Sequence, residues 1–424
     1  MTTAQTKTAR TEAGIPGLRV PDSTLGFLAN GYLFGLRRFA LVGADAFRTR
    51  IAGLPVTVAY GADAARMFYE GDRFGRDRAM PTSVQHLLQD EGSVQTLDGD
   101  AHRRRKMMFL RMLSTEQGLE ELRTTFAQEL LAAAAGWAGP VVLHDELCRV
   151  LTRTALRWTG IPTGEAQVDG LTSELAGMVE NAGRFGPANW VARLRRRRTE
   201  AWARGMVEAA RSGRFAEGSP VVQLALHTDA DGRLLSADDA AIELLNVLRP
   251  TVAVARFIVF AALALHRHPI WRERFAAGDE QELLSFVHEV RRFYPFFPVI
   301  GGRALKPFTW HDTPFERGDW VMLDLYATNH DERIWSEPRR FTPERFRTWN
   351  GDRNALIPQG AGEPEAGHRC PGEQATVDLI GEAVRVLSQR LSYRVPDQDL
   401  RTSLRRFPAL PQSGFVIDGV VRRA

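Results

Sequence analysis

Cysteine is nearly absent from this chain: 424 residues contain two, Cys148 and Cys370. Two thiols cannot build a disulfide framework, which excludes a stapled extracellular scaffold and fits a reducing cytoplasm. Charge of one sign is scarce too. With 55 basic and 51 acidic residues the net charge is +4, so the pI near 9.3 reflects arginine content and does not call for a nucleic-acid partner. The opening stretch, MTTAQTKTARTEAG, lacks the apolar core of a signal peptide. The most apolar long stretch, Val252 to Leu265, contains Arg256 and is too short for a bilayer. Neither a membrane anchor nor a span is expected, and no internal repeat stands out.

What is present is ordinary globular composition, 44% hydrophobic and 25% charged, in a chain long enough for one large enzyme domain. Residues 1–22 read as a loose arm and 23–424 as a single domain. Arg48–Ile51 and Val56–Ala59 alternate as a β-hairpin, and Ala62–Tyr69 as a short helix. Helical spacing predicts Ala101–Leu113, a next helix to about Gly136 with Ser114 and Gln117 as its capping box, then Asp145–Thr159, Gln167–Asn181 and Pro187–Arg211. In the last of these Trp190, Leu194, Trp202 and Met206 share an apolar face, beside the arginines of 193 and 195–198; a solvated basic face is the plain reading of that run. Cys148 falls in a helical stretch as a small buried hydrophobe.

The longest helix starts at Ser236, with Asp238 and Asp239 in its first turn, and continues to His268. Pro250 in its middle predicts a kink. A helix around Leu283, Phe286, Val287 and Val290 carries Glu289 and Arg292 on one face. Trp320–Leu325 is β-rich, Asp312–Gly318 is a turn region, and short strands and turns alternate from Tyr393 onward. The fold class is therefore mainly α with small β-sheets.

The chain is organised around Ile357–Glu373, I-P-Q-G-A-G-E-P-E-A-G-H-R-C-P-G-E. Cys370 precedes an apolar helix whose first turn suits Pro371, and the positive end of a helix stabilises a thiolate. Gly360, Gly362, Gly367 and Gly372 let the backbone approach something flat and large. This loop resembles the haem-thiolate loop of cytochromes P450, in which the cysteine is the axial iron ligand. The long helix, the E-x-x-R pair and Pro343-Glu344-Arg345-Phe346 precede it in the order that family requires. The resemblance implies a P450 fold with haem b between the long helix and the cysteine helix. It also implies a buried triad of Glu289, Arg292 and Arg345. His102, Lys106, Arg303 and His368 match propionate-binding positions, and Arg76 is a further candidate.

Two departures narrow the resemblance. Most P450s carry an acid–alcohol pair in the long helix, whereas Asn246-Val247-Leu248-Arg249-Pro250-Thr251 has Thr251 but no preceding acid. Pro358-Gln359-Gly360 stands where most have a phenylalanine. Both departures resemble the bacterial fatty-acid peroxygenases, which use hydrogen peroxide and need no redox partner. In that branch Arg249, with Pro250, holds the substrate carboxylate, which replaces the missing acid. Arginine itself stays protonated and cannot shuttle the proton. Oxidation is then expected at Cα or Cβ. Gln95 matches a glutamine-or-histidine position above the haem, and glutamine implies hydroxylation with only minor decarboxylation to terminal alkenes. Gln89-Asp90-Glu91 is more polar than in relatives. Phe296, Phe297, Val299 and Ile300 are candidate acyl-pocket or general core residues. The competing readings are a reductase-dependent monooxygenase, a non-catalytic haem sensor or carrier, and, at a distance, a nucleic-acid binder using the arginine run.

Overall fold

Where apolar residues recur at helical spacing, the chain forms helices bounded by caps and glycines. A computed structural model describes residues 14–89, 92–184 and 186–423; Asp90, Glu91 and most of the expected N-terminal arm lie outside these. Within the described part of that arm, the Leu18 N–H bonds the Arg48 carbonyl and the Arg48 N–H bonds the Pro16 carbonyl, both at 2.8 Å. Those residues run along a strand.

The helices expected at Ala62–Tyr69 and Pro187–Arg211 have those bounds, and three others begin two residues earlier than their sequence patterns suggest: Gly99–Leu113, Leu143–Thr159 and Glu165–Asn181. The cap between the first two long helices is Thr115, not Ser114: its hydroxyl accepts the Gly118 N–H at 3.2 Å. Ser236 caps the longest helix as expected, accepting the Asp239 N–H at 2.9 Å. That helix is interrupted at Val254, giving Ala237–Ala253 and Ala255–Arg267. Pro250 has no N–H for the Asn246 carbonyl, and the regular pattern fails one turn later, where the Val254 N–H turns to Thr251 at 3.2 Å. The whole Ala237–Arg267 stretch is long and apolar enough to cross a membrane, but 89% of its most apolar window is buried inside the fold. It is the central core helix.

A five-stranded sheet lies apart from the helical core. Its strands are ordered Ala46–Ile51, Leu54–Ala59, Trp320–Asp324, Val299–Ala304 and Phe74–Gly75. Only the Leu54–Ala59 and Trp320–Asp324 pair is parallel. The turn region expected at 312–318 contains a strand, Thr313–Phe315, paired with Phe308–Trp310. Two strands of three residues are enough for a hairpin when Phe308 and Phe315 stack at 4.8 Å.

One expected apolar face divides in two. Trp202 and Met206 pack on the helical core, but Trp190 and Leu194 are 65% and 61% exposed. Arg196 of the basic run turns inward to Glu200 at 2.7 Å. Cys148 is buried, as expected, and burial pushes its thiol up to about 12.

Glu289 and Arg292 form a fully buried pair at 2.6 and 2.8 Å. Arg345, on the single helical turn Pro343–Arg347, adds a contact at 3.3 Å, and the Thr342 N–H a bond at 2.8 Å. Arg292 also donates to the Asn329 and Pro338 carbonyls at 2.8 and 3.0 Å. The Asn329 side chain then accepts the Ile357 N–H at 2.9 Å, where the cysteine loop begins. Such a triad is stable because each charge finds several partners in a place without water.

Asp324, at the end of its strand, is 2% exposed and caps the next turn through the Ala327 N–H at 2.7 Å. Burial raises its carboxyl to about 7. Below the unfolded value near 3.8 both states are protonated. Above it the unfolded chain ionises first, so this group's stabilisation is lost as pH rises from about 4 to about 7. Asp324→Asn is expected to remove that part of the slope, measured as the melting temperature of wild type and variant across this pH range.

Candidate active site

Two sets of polar residues stand out: the cysteine loop with a basic cluster, and a network around the Arg249 turn. In the loop, the helix behind the cysteine spans Glu373–Arg385 with Gly372 as its cap. Pro371 therefore lies in the turn before the helix rather than in its first turn. The Gly372 N–H bonds the thiol, and the Gln359 Nε2 lies 3.8 Å from Sγ. Burial nevertheless raises the thiol, against the pull of Gly372, Lys106 and Gln359. The helix end alone does not make a thiolate here; a bound metal cation would.

Gln359, part of the unusual lead-in, is the pin of this loop. Its carbonyl accepts the Cys370 N–H at 3.0 Å. Its Nε2 donates to Thr376 Oγ1 at 3.0 Å, and its Oε1 accepts from Arg291 Nη2 at 3.1 Å. Arg291 and Arg369 both converge on Glu373, in the first turn of the helix. The acidic first-turn residue was the available sequence signal for this cluster; Gln359 itself carried none beyond being unusual. Tyr69 packs against Gly360 and Gly362: an added Cβ would lie 2.8 Å from its hydroxyl at Gly360, and 3.2 Å from its Cβ at Gly362.

The expected cations are not equivalent. The rings of His102 and His368 lie 4.0 Å apart, and His368 Nε2 is 3.6 Å from Asp98. Burial lowers both imidazoles, His102 to about 3, so the stacked pair is neutral. Lys106 is buried and donates to the Gly367 and Arg369 carbonyls, the latter at 2.5 Å, so it clasps the cysteine loop. Arg76 is buried over Phe68 at 4.2 Å; it bonds the Gly301 carbonyl at 3.3 Å and the Tyr69 side chain, and its Nε is unpartnered. Arg303 is partly exposed; it donates to the Arg78 and Gly318 carbonyls at 3.3 Å and sits over Trp320. A cavity of about 400 Å³ is lined by Arg76, His102, His368, Asp98 and Gly367; Arg303 lines a neighbouring cleft.

On the other side, Arg249 is 2% exposed. It donates to the carbonyls of Leu87 and Leu88 at 3.1 and 2.6 Å, which end the Thr82–Leu88 helix, and to Asn246 Oδ1 at 2.7 Å. Burial and the nearby Arg196 charge lower its pKa well below the usual arginine value. Gln95 does not point to solvent: its Oε1 accepts from Ser93 Oγ at 2.7 Å and Asn246 Nδ2 at 3.0 Å. Thr251 bonds back to the Val247 carbonyl at 2.8 Å. Asn246 and Glu243 join this network, and the sequence reading gave neither of them a role.

Phe296 stacks on Phe257 of the central helix at 4.2 Å. Val299 packs with Phe47, Val56 and Trp320 on the sheet. Among the described residues no cluster of His, Cys, Asp and Glu forms a metal site.

A helical core around one long kinked helix, a buried E-x-x-R triad and a cysteine loop at a helix start define a haem-thiolate protein. The cytochrome P450 family profile matches residues 283–379. The solved structure of cytochrome P450EX alpha (CYP152N1) with myristic acid superimposes with a TM-score of 0.93 at 36% identity, covering 97% of this chain and 100% of that one. Cytochrome P450SP alpha (CYP152B1) in complex with (R)-ibuprophen gives 0.91 at 42% identity, covering 95% and 99%. Among curated relatives, rhazimal synthase of Alstonia scholaris is 28% identical over 34% of this chain, and the chain spans about a third of that protein's length (34%). The chain belongs to the cytochrome P450 family. Within it, its place is with the CYP152 proteins represented by these two structures.

The residues present fit the haem of that family. An unpartnered guanidinium nitrogen on Arg76 and two neutral imidazoles line a cavity beside the cysteine loop, which suits carboxylate groups seeking donors. Of the two cysteines, Cys370 stands in the loop and Cys148 inside a helix. Gln359→Leu is expected to keep haem bound but make its reduction potential more negative by tens of millivolts, because a donor to the sulfur is lost; spectroelectrochemical titration measures this.

Proposed function

We propose that this protein hydroxylates fatty acids at Cα or Cβ with hydrogen peroxide, with minor decarboxylation to terminal alkenes. Cys370 would hold the haem through its sulfur, and Arg76, His102 and His368 would receive its propionates, with Arg303 at the outer edge. Lys106 supports this set by holding the loop. The observation that carries the reading is Arg249: a buried guanidinium whose hydrogen bonds, among the described residues, go only to neutral oxygens. A buried charge in that position is costly until an anion joins it.

The carboxylate of a fatty acid supplies that anion. It takes the remaining N–H groups of Arg249 or displaces the Leu87 and Leu88 carbonyls, since charge-assisted bonds are about twice as strong as neutral ones. When bound, haem would supply the oxidising chemistry by which one peroxide oxygen enters a C–H bond and the other leaves as water. Held on Arg249, the carboxylate carries a proton from one peroxide oxygen to the other, a step for which the helix offers no acid beside Thr251. Pinning the carboxylate also keeps Cα and Cβ closest to the reacting centre. Pro250 supports this by setting the break in the helix, Gln95 lies beside Arg249 through Asn246, and Phe296 provides apolar surface for the chain. Val299 belongs to the sheet core and is left out of this pocket.

Support for the substrate class comes from the relatives: cytochrome P450EX alpha was solved with myristic acid. We place the protein in the cytoplasm, where a free Cys370 stays reduced. No redox partner is required in this scheme. A reductase-dependent monooxygenase would need electrons, and a haem sensor or carrier would leave the buried Arg249 without a purpose.

Purified protein, a fatty acid and hydrogen peroxide, with no reductant, are expected to yield 2- or 3-hydroxy acids by product chromatography; no turnover favours the monooxygenase. Arg249→Ala is expected to reduce that turnover by about 100-fold or more, the lower range for lost acid–base catalysis, with haem content unchanged. Full activity in the variant would refute the docking mechanism. Gln95→His is expected to raise the alkene share of products, read from the same chromatograms.

A further inference from the structure

Beneath the Arg249 turn lies a carboxylate that takes no part in the proposed docking and proton transfer. Glu243, on the central helix one turn before Asn246, is 0% exposed. Its Oε1 accepts the backbone N–H of Val94 at 2.8 Å and Arg105 Nη1 at 3.2 Å. Its Oε2 accepts from Asn246 Nδ2 at 2.8 Å. Arg105, itself 3% exposed, is held from the far side by both oxygens of Asp229 at 2.8 Å and by the Gly92 carbonyl at 2.6 Å. The buried negative charge is thus compensated, and its two oxygens have different duties. One holds the backbone of the Gln95 turn to the central helix; the other holds Asn246.

Asn246 has one acceptor and two donors, and all are committed. Its Oδ1 takes Arg249 Nη2 at 2.7 Å, while its Nδ2 serves Glu243 and Gln95 Oε1. The orientation of this amide is therefore dictated from both ends: a carboxylate below demands the NH₂, and a guanidinium above demands the oxygen. A neutral or absent group at 243 would remove half of that instruction.

We propose that Glu243 is a positioning residue: through Asn246 and the Val94 backbone it sets Arg249 and Gln95 relative to each other, and so selects which carbon is oxidised. Glu243 is assigned no contact with substrate or cofactor. The inference rests on the fatty-acid reading of the site. Adjacent chain carbons are about 1.5 Å apart, so a displacement of the carboxylate anchor by that amount exchanges Cα for Cβ. A misplacement near 1 Å is also enough to alter rates strongly.

Glu243→Gln separates the two duties. The amide oxygen still accepts from Val94 and Arg105, but its NH₂ now meets the NH₂ of Asn246. Asn246 must turn over, which presents NH₂ to Arg249 and takes the donor away from Gln95. In the holoenzyme, with a saturated C14 acid and peroxide, the 2-hydroxy to 3-hydroxy product ratio is expected to change at least threefold. Fatty-acid affinity, followed by the spin-state change of the haem spectrum, is expected to weaken about tenfold. Haem content and melting temperature report whether the variant is folded. A folded, haem-replete variant with an unchanged product ratio overturns the proposal whatever its affinity. If the variant does not fold, Asn246→Ala decides, since it leaves the Val94 and Arg105 bonds intact: a shifted ratio supports the proposal and an unchanged one overturns it. If wild type does not oxidise the acid with peroxide alone, the fatty-acid peroxygenase reading fails. The affinity comparison then decides this proposal by itself, with equal affinities overturning it.

Discussion

The cysteine loop depends on a carboxylate far from any chemistry. Glu289 is fully buried with Arg292, is reached by Arg345 and caps the Thr342 N–H. The guanidinium of Arg292 then gathers carbonyls from Asn329 and Pro338, two segments distant in sequence. Asn329 passes the constraint to the Ile357 N–H, from which the loop runs to Cys370. Removing one charge from such a set leaves another stranded without water, a cost of about 3–5 kcal/mol. That is why the loop's geometry is set by its scaffold more than by its own glycines.

The other side of the site follows the opposite logic. Around Glu289 the charges satisfy one another; around Arg249 the hydrogen-bond partners among the described residues are neutral. The fold tolerates this because Arg249 reaches carbonyls at the end of the Thr82–Leu88 helix, whose dipole presents partial negative charge there. Partial charges hold the guanidinium without cancelling it. The proposed docking of a carboxylate builds on that arrangement. Between the two halves, Lys106 and Gln359 were expected to serve haem or merely to mark a branch. In the structure both tie the cysteine loop to its surroundings.

Much of the helical architecture was legible because burial on one face writes a period near 3.6 into the sequence. Pro187–Arg211 and Ala62–Tyr69 came out residue for residue. Errors arose where neighbours decide. Thr115 rather than Ser114 caps its helix because the backbone leaves extended geometry at that residue. Trp190 and Leu194 have core spacing, yet no element covers them. Spacing records what a helix offers, not what the fold places opposite. Val299 shows the same limit in a strand: alternation gives two faces, and the pairing of Val299 with Asp324 puts its side chain toward the sheet core.

By itself the sequence determined the class of protein and singled out the groups proposed to react. Cys370 before an apolar helix, Glu289 with Arg292, and Arg249-Pro250 without an acid are local patterns whose chemistry travels with the residue types. Only the tertiary structure decided which groups share a hydrogen-bond network. Glu243, Asn246 and Gln95 converge from segments about 150 positions apart, and Gln359 meets Cys370 and Arg291 across a folded loop. Hydrogen bonds of that kind need directions accurate to tenths of an ångström, and a linear pattern carries no such information. Packing of the kinked central helix supplies it.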